Sequence, residues 1–483
     1  MSRPPRTELA PGLDVPRILT GLWQVADMEK GGRTLDTARA AQSLAEYAAA
    51  GFDAFDMADH YGSAELIAGR LLKDLGPGRA HAFTKWCPAP GPMPAEVVRA
   101  GIKERLERLG VKRIDLLQFH WWNYRDPRYL DAMTELTRLR EEGAIAHLGL
   151  TNFDTDHLRL LVKHGVPIAT NQVAFSLLDR RPGGRMSEFC KSSGVRLLAY
   201  GTLAGGFLSD AWVGKPEPHD GEVADWSKSK YRRFIDAAGG WDALQAILGA
   251  AAKVAKKHGV SVANVATRWV LEQPAVGAII VGARLGEREH RADNLKVFGF
   301  SLDESDRELL DEAFSKTKDL PGDCGDEYRR PPYLTASGDL SHHLKGEKKT
   351  TTEGKHRQNF SSGTKWEPMA GYSRAVRVGS RILVSGTTAT HGAGTIVCRG
   401  DVEGQAVYAL DKIAAAIEAL GGRLEDVVRT RVYLKDASKW EPVARVHGRY
   451  FGDIRPVNTM LEVAAFIGDY EIEIEAEAEL AAS

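Results

Sequence analysis

Residues 52–65 read FDAFDMADHYGSAE. The run opens as a short apolar strand pattern, Phe52 to Phe55, and turns polar at Asp56. It then delivers Tyr61 just before a helical pattern opens at Ser63. A carboxylate and a phenol therefore stand just past the C-terminal end of a strand, the end at which an α/β barrel does its chemistry. Taken alone, such a pair is more often a helix cap and a packed ring. What neighbouring strands carry at the same place decides between the two readings.

Outward from this stretch the pattern repeats. Strands are expected at 17–22, 52–56, 81–86, 114–120, 145–151, 168–173, 195–200 and 277–281. Helical patterns fall between them, as at Leu35–Ala50, Pro94–Leu109, Asp126–Glu142, Asp154–His164 and Gly184–Ser193, and Gly or Pro marks most boundaries. Alternating apolar strands and helices argue a parallel sheet. Eight such units within the first 320 residues favour a closed (β/α)8 TIM barrel. No GxGxxG opens the first unit, which counts against a dinucleotide fold of the open-sheet kind.

The strand ends carry Asp56 and Tyr61, Thr84-Lys85-Trp86, His120-Trp121-Trp122, Thr151-Asn152, Asn171-Gln172, Tyr200-Gly201 and Val281-Gly282-Ala283-Arg284. If the barrel closes, Tyr61, Lys85, Asp56 and His120 surround one spot. A phenol is a weak acid, and a nearby ammonium makes it a stronger one. Asp56 would hold Lys85 charged, and His120 would donate to a substrate oxygen. Such a site protonates an oxygen on which negative charge develops. No serine or cysteine sits beside a base, and no cluster has metal-ligand spacing, so the expectation is no metal. A carbonyl reduced here must take its hydride from a cofactor.

With these residues in place, 1–320 resembles the aldo-keto reductase superfamily. The matching pieces are Asp56…Tyr61, Thr84-Lys85, Gln118-Phe119-His120, residues 149–153 (GLTNF), Asn171-Gln172, residues 198–203 (LAYGTL), and 281–284 (VGAR) followed by Asn294. The resemblance implies that Tyr61 is the general acid/base, tuned by Lys85 and Asp56, with His120 orienting the carbonyl. It implies that Asn152 and Gln172 hold a nicotinamide carboxamide, that Tyr200 stacks on the ring, and that Thr151, Gly201, Leu203 and Gly282 belong to the cofactor cradle. Asn294 would bind adenine, and Arg284, His290 and Arg291 would meet a 2′-phosphate. Those basic residues make NADP the expected cofactor; Leu285, where a Ser or Thr usually meets that phosphate, and His290, where an Arg is frequent, leave NAD as the alternative. The Gly-rich loop after strand seven, Leu203 to Gly240, reads as a lid. Trp23, Trp86, Trp121 and Trp122 are candidate walls of an apolar substrate pocket.

From Pro321 the composition turns rich in Gly, Pro, Ser, Thr and charge, and 321–369 reads as an extended linker with packed pieces at Tyr328 and Tyr333. His342, His343 and His356 within it read as solvated side chains rather than a metal tract. A second core, 370–483, reads as a hairpin (375–378 and 382–384), a strand at 395–399, a helix at 401–420, a strand at 427–434, a helix at 440–451, and strands at 457–463 and 470–480. That is an α+β layer. It resembles the RidA/YjgF-like family in residues 371–373 (GYS), 384–386 (VSG), 424–428 (LEDVV), 432–436 (VYLKD), 450–452 (YFG) and 474–476 (IEA). The resemblance implies a chorismate-mutase-like fold, threefold assembly and hydrolysis of reactive enamines or imines. Asn458 stands where that family's carboxylate-binding arginine belongs, and Arg455 lies before the proline. An amide cannot supply the charge-assisted bidentate contact, so the hydrolysis is in doubt.

The remaining composition sets bounds. Of 483 residues, 43% are hydrophobic and 27% charged, with a net charge of -1. Nothing points to nucleic acid or an acidic membrane surface. Cys87, Cys190, Cys324 and Cys398 are scattered without a CxxC pair, which argues for a reducing cytoplasm. The first seventeen residues hold no apolar signal-peptide core, and no run approaches the roughly 18 apolar residues of a membrane helix. The expectation is a cytoplasmic NAD(P)-dependent oxidoreductase acting on a small aldehyde, ketone or alcohol, trimeric through its C-terminal domain. The alternatives are a bifunctional enzyme that also clears imines and a cofactor-sensing regulatory protein.

Overall fold

The computed structural model describes residues 3–219, 226–287, 290–330 and 357–481. Tyr333 and the three histidines at 342, 343 and 356 lie outside the described residues.

A hairpin, β1 (Arg6–Ala10) and β2 (Leu13–Pro16), precedes eight barrel strands. These are β3 (Ile18–Gly21), β4 (Ala54–Asp56), β5 (His81–Trp86), β6 (Ile114–Phe119), β7 (Ile145–Thr151), β8 (Ile168–Ala174), β9 (Arg196–Tyr200) and β10 (Val276–Gly282). All neighbours are parallel, and β10 closes on β3. The hairpin was not expected from the sequence. Its Leu9, Leu13 and Val15 plug the bottom of the barrel against Leu19, Ala54, Phe83, Leu116, Leu198 and Ala278. A Cβ on Gly277 would come within 2.6 Å of Leu9, so this position is kept bare where the plug enters.

Alternation along the strands sorts side chains into two sets. Asp56, Lys85, Gln118 and Gln172 point into the upper barrel, where they bond to one another. Trp86 and Phe119 point outward and pack on each other, between strands and helices.

The second domain is a six-stranded sheet in the order β11-β12-β13-β18-β16-β17. Its strands are β11 (Arg357–Phe360), β12 (Ala375–Val378), β13 (Arg381–Thr387), β16 (Val427–Leu434), β17 (Val457–Glu462) and β18 (Ile472–Glu479). A separate two-residue ladder joins β14 (Thr390–His391) to β15 (Thr395–Ile396). The strand expected at 395–399 is therefore only this short ladder, outside the main sheet. Residues 357–370, read as the end of a linker, supply edge strand β11 and the helical turn Trp366–Ala370. In β18, Ile472, Ile474, Ala476 and Ala478 are buried against the helices. On its other face Glu475 and Glu477 pair with Arg431, Arg429 and Arg381.

The helix Val402–Ala419 is buried on nearly every side, because it lies between this sheet and the barrel helix Thr155–Lys163. A helix so placed is mostly apolar, and its sequence (VEGQAVYALDKIAAAIEA) is, apart from Glu403, Gln405, Asp411, Lys412 and Glu418. Its one deeply buried carboxylate, Asp411, accepts from Tyr129 Oη at 2.9 Å and Tyr450 Oη at 2.6 Å, and meets His157 Nε2 at 3.0 Å. Arg159 pairs with Asp401 and Arg125 with Glu418 across the same junction. Burial by itself would lower the pKa of His157, but Asp154 and Asp411 outweigh it and lift it to about 9.

The sign of its contribution follows. The folded value lies above the ordinary one near 6.5, so the stabilisation is complete below about pH 6.5 and is lost as pH rises through about 9. Lys412 acts oppositely, since burial pushes its ammonium down to about 7 and the penalty eases as pH rises. A comparison with a variant isolates the histidine. The gap in Tm between wild type and His157→Gln should narrow between pH 6.5 and 9.5; a constant gap across that range would mean the histidine is neutral throughout.

Candidate active site

The residues expected at the strand ends meet at the upper mouth of the barrel. Asp56, Tyr61, Lys85 and His120 line one cavity of about 1630 Å³. Lys85 Nζ donates to Asp56 Oδ2 at 2.6 Å and to the Met57 carbonyl at 2.9 Å, and both charged side chains are buried. The other oxygen of Asp56 accepts from Gln118 at 2.9 Å and Gln172 at 2.7 Å. Two amides and a backbone carbonyl thus hold one carboxylate and one ammonium at a fixed place. The Lys85 ammonium lies 5.1 Å from the centre of the Tyr61 ring. Trp23 meets that ring edge-on at 5.0 Å and His60 at 4.9 Å.

His120 lies against Trp122, with ring centres 3.6 Å apart. Burial lowers its pKa well below the usual range, and the charges of Arg329, His60, Lys85 and Lys230 add to the effect, so it is neutral. Its Nε2 has no partner among the described residues, nor has Thr151 Oγ1. Both belong to residues that line the cavity, as do Asn152, Gln172, Tyr200, Gly201, Leu203, Gly282, Arg284, His290 and Asn294. Asn152 sits at φ +55 and accepts from Tyr200 Oη at 2.8 Å.

Two expected substrate-pocket residues are not in the cavity. Trp86 and Trp121 share the outward phase of Phe119: Trp86 lies under Gly101, and the Trp121 indole donates to the carbonyls of Asn123 and Asp126. The inward phase carries Lys85, His120 and Trp122, so of the four tryptophans only Trp23 and Trp122 line the cavity. Arg291 also departs from expectation. It lies over the Tyr47 ring and pairs with Glu46, whereas Arg284 lines the cavity beside Gln24.

Part of the strand-seven loop is helical. Its residues 226–237 form a helix, and Ser227, Lys228, Lys230, Tyr231 and Arg233 face the cavity. The glycines before it make room: a Cβ on Gly201 would come within 2.1 Å of Tyr231 Oη, and one on Gly205 within 2.9 Å of the same ring. Residues 326–330 cross the mouth as well. Tyr328 Oη bonds Tyr200 Oη at 3.1 Å and accepts from Lys230 Nζ at 2.5 Å.

Gln118, His60, Lys230 and Tyr328 are site residues to which the sequence reading assigned no role. For Gln118 a signal existed, since it is a lone amide in the apolar run of β6, in phase with His120. Asp59, His60 and Cys87 also converge, with candidate ligand atoms within 4.8 Å. The Asp59 carboxylate there is already engaged by His60 Nδ1 and the Cys87 amide, and burial keeps the Cys87 thiol protonated.

In the second domain Asn458 Nδ2 donates to Thr430 Oγ1 at 2.9 Å, and Arg455 donates to the Gly452 carbonyl at 3.1 Å. Glu475 is paired with Arg431 and accepts from Tyr433 Oη. No described helix is long and apolar enough to cross a membrane.

A closed parallel barrel thus carries a buried Lys–Asp pair, a phenol and a histidine at one mouth. Residues 17–314 match the aldo/keto reductase family, and the chain belongs to that family. Residues 363–480 match the Endoribonuclease L-PSP family, so a RidA-type domain is fused to the reductase barrel. Flagellar radial spoke protein 5 of Chlamydomonas reinhardtii is 30% identical over 244 residues, covering 42% of this chain and 46% of that protein. The chain thus spans about half of that relative. The NADH-specific methylglyoxal reductase of Escherichia coli is 23% identical over 321 residues, covering 61% of this chain and 94% of that protein. Among solved structures, the glycerol dehydrogenase from Gluconobacter oxydans is 25% identical and covers 66% of this chain and 97% of that one, with a TM-score of 0.52.

Gly201 tests the packing of the loop helix. Gly201→Ala should cost about 1–3 kcal/mol, from strain at φ +69 plus the clash with Tyr231, whereas Gly206→Ala, at φ +97 in open space, should cost less. Equal losses of Tm in the two variants would show that the helix does not need the bare position.

Proposed function

We propose that the barrel is a nicotinamide-dependent reductase of aldehydes or ketones, running in reverse on alcohols, with Tyr61 as its general acid/base. The observation that carries this reading is the buried Lys85–Asp56 pair at 2.6 Å, with its ammonium 5.1 Å from the Tyr61 ring. An ammonium at that range stabilises the phenolate left when Tyr61 gives up its proton. Asp56, held by two amides, keeps the ammonium charged and in place. His120, neutral and with a free ring nitrogen, suits donation to the substrate carbonyl oxygen.

The cavity's size and its unpartnered polar atoms fit a dinucleotide lying from His120 toward Asn294. When bound, that cofactor supplies the hydride to the carbonyl carbon. Tyr61 delivers its proton to the oxygen, so the carbonyl gains one hydride and one proton and leaves as an alcohol. Asn152, Thr151 and Gln172 would hold the nicotinamide end against Tyr200. Gly201, Leu203 and Gly282 would line the path, with Asn294 at the adenine. Arg284 and His290 support a 2′-phosphate and so NADP; Asp293, which lines the same end, would suit the ribose hydroxyl of NAD instead. The names of the relatives, a methylglyoxal reductase and a glycerol dehydrogenase, support a small oxygenated substrate.

Oxidation of NADPH and NADH with a panel of aldehydes, ketones and sugars tests the reading. Tyr61→Phe should lower turnover by roughly 10²–10⁴ while leaving cofactor affinity nearly unchanged. Cofactor binding without turnover in the wild type would instead favour a sensor.

For the second domain the reading is a trimerising module of a cytoplasmic enzyme. The engaged Asn458 and the paired Glu475 argue against imine hydrolysis. On the sheet face away from the helices, Val457 and Leu461 are 62% and 52% exposed, which suits a partner surface. Wild type should run as a trimer in light scattering, and Leu461→Lys should shift it toward monomer. A monomeric wild type would remove this reading.

A further inference from the structure

We propose that Arg449, on the second domain, is a positioning residue for the reductase: it pins residues 323–330 across the barrel mouth so that Tyr328 forms a wall of the substrate pocket. The inference rests on the carbonyl-reductase reading above, and it assigns the fused domain a part in the barrel's chemistry.

Arg449 stands near the end of the helix Trp440–Phe451, whose Val443, Val446, Tyr450 and Phe451 are buried. Its guanidinium leaves that domain and enters a ring of four carboxylates. It meets Asp154 at 2.7 Å and Asp156 at 3.5 Å, both at the start of the barrel helix Thr155–Lys163. It meets Asp323 at 2.9 Å and Asp326 at 3.4 Å, both on the crossing segment. Its own carbonyl accepts from Arg330 Nη1 at 2.8 Å. One cation therefore bridges the second domain, the barrel helix and the segment. Without it, two pairs of carboxylates on different segments would face each other across a largely buried space.

The segment has little slack elsewhere. Arg329 donates to the carbonyls of Trp121 and Asn152 and lies over the Tyr124 ring at 4.1 Å. Gly325, at φ +81, would drive a Cβ to 2.0 Å from the Asn152 carbonyl. Arg181 holds the side chain of Glu327 at 2.9 Å and the carbonyl of Asp323 at 2.8 Å. So seated, the segment presents Tyr328 edge-on to His120 at 5.4 Å and to Trp122 at 5.8 Å, with its hydroxyl on Tyr200. His120 is the group proposed to orient the carbonyl, so Tyr328 borders the place where the rest of the substrate must lie. Tyr61, Lys85 and Asp56 lie outside the set of Arg449's partners. A loosened segment should therefore weaken substrate binding more than chemistry.

The test combines kinetics with hydrogen exchange on the full chain. Arg449→Met keeps bulk and removes charge. It should raise KM for the best carbonyl substrate about tenfold or more, with kcat within about threefold. Amide exchange in residues 321–330 should quicken while the barrel strands stay protected. Tyr328→Ala should give a similar KM, and the double variant should be little worse than either single one, because both act on one wall. Multiplying effects would overturn the proposal, as would unchanged KM and exchange in Arg449→Met. If that variant fails to fold, Asp323→Asn, which weakens the clamp from the segment side, should show the same KM and exchange changes, and its silence would count against the clamp. A wild type that turns over no carbonyl would sink the reductase reading instead, and the exchange comparison alone would then decide whether Arg449 pins the segment.

Discussion

The Lys85–Asp56 pair is the constraint around which the upper barrel is arranged. Two opposite charges within the apolar barrel are tolerable only if nearly every donor and acceptor finds a partner. The Met57 carbonyl, Gln118 and Gln172 supply them. The pair and these partners come from four strands or strand ends, so the pair also fixes how the strands stand relative to one another. Below it the barrel is filled by apolar side chains and sealed by the N-terminal hairpin. The polar layer is thus confined to one end, beneath the cavity.

Above that layer the mouth is built from pieces distant in sequence. The loop helix Trp226–Ala237 rests on bare glycines, and the segment after the last barrel helix is held to the barrel by its own Arg329 and to the second domain by Arg449. The second domain shares a nearly enclosed helix with the barrel, and its Asp411 is satisfied largely by barrel residues, Tyr129 and His157. Burying Asp411 without those partners would be costly, so the second domain depends on its packing against the barrel rather than hanging from it as a bead on a linker. The region that reads as a linker by composition hides this, because its two ends belong to the two domains it joins.

Much of the site was legible because strand-end chemistry is local. Asp56, Lys85 and His120 each end a short apolar run, and a period of two then aims them inward; Tyr61 follows in the turn between Asp56 and the helix Ala64–Leu75. The same rule, applied strictly, turns Trp86 and Trp121 outward, away from the cavity. Tyr328, Lys230 and Arg449 could not be found in this way. Their places depend on long loops and on a second domain, whose packing no local period encodes.

The sequence by itself determined the barrel, its strand ends and the second fold, because hydrophobic periodicity and turn residues act over a few positions and leave a readable pattern. Only the tertiary structure decided which side chains share the cavity, where Arg291 turns, and that an arginine of the second domain closes on the mouth of the first. Those outcomes rest on shape and charge meeting across hundreds of residues, and that complementarity exists only once the chain has folded.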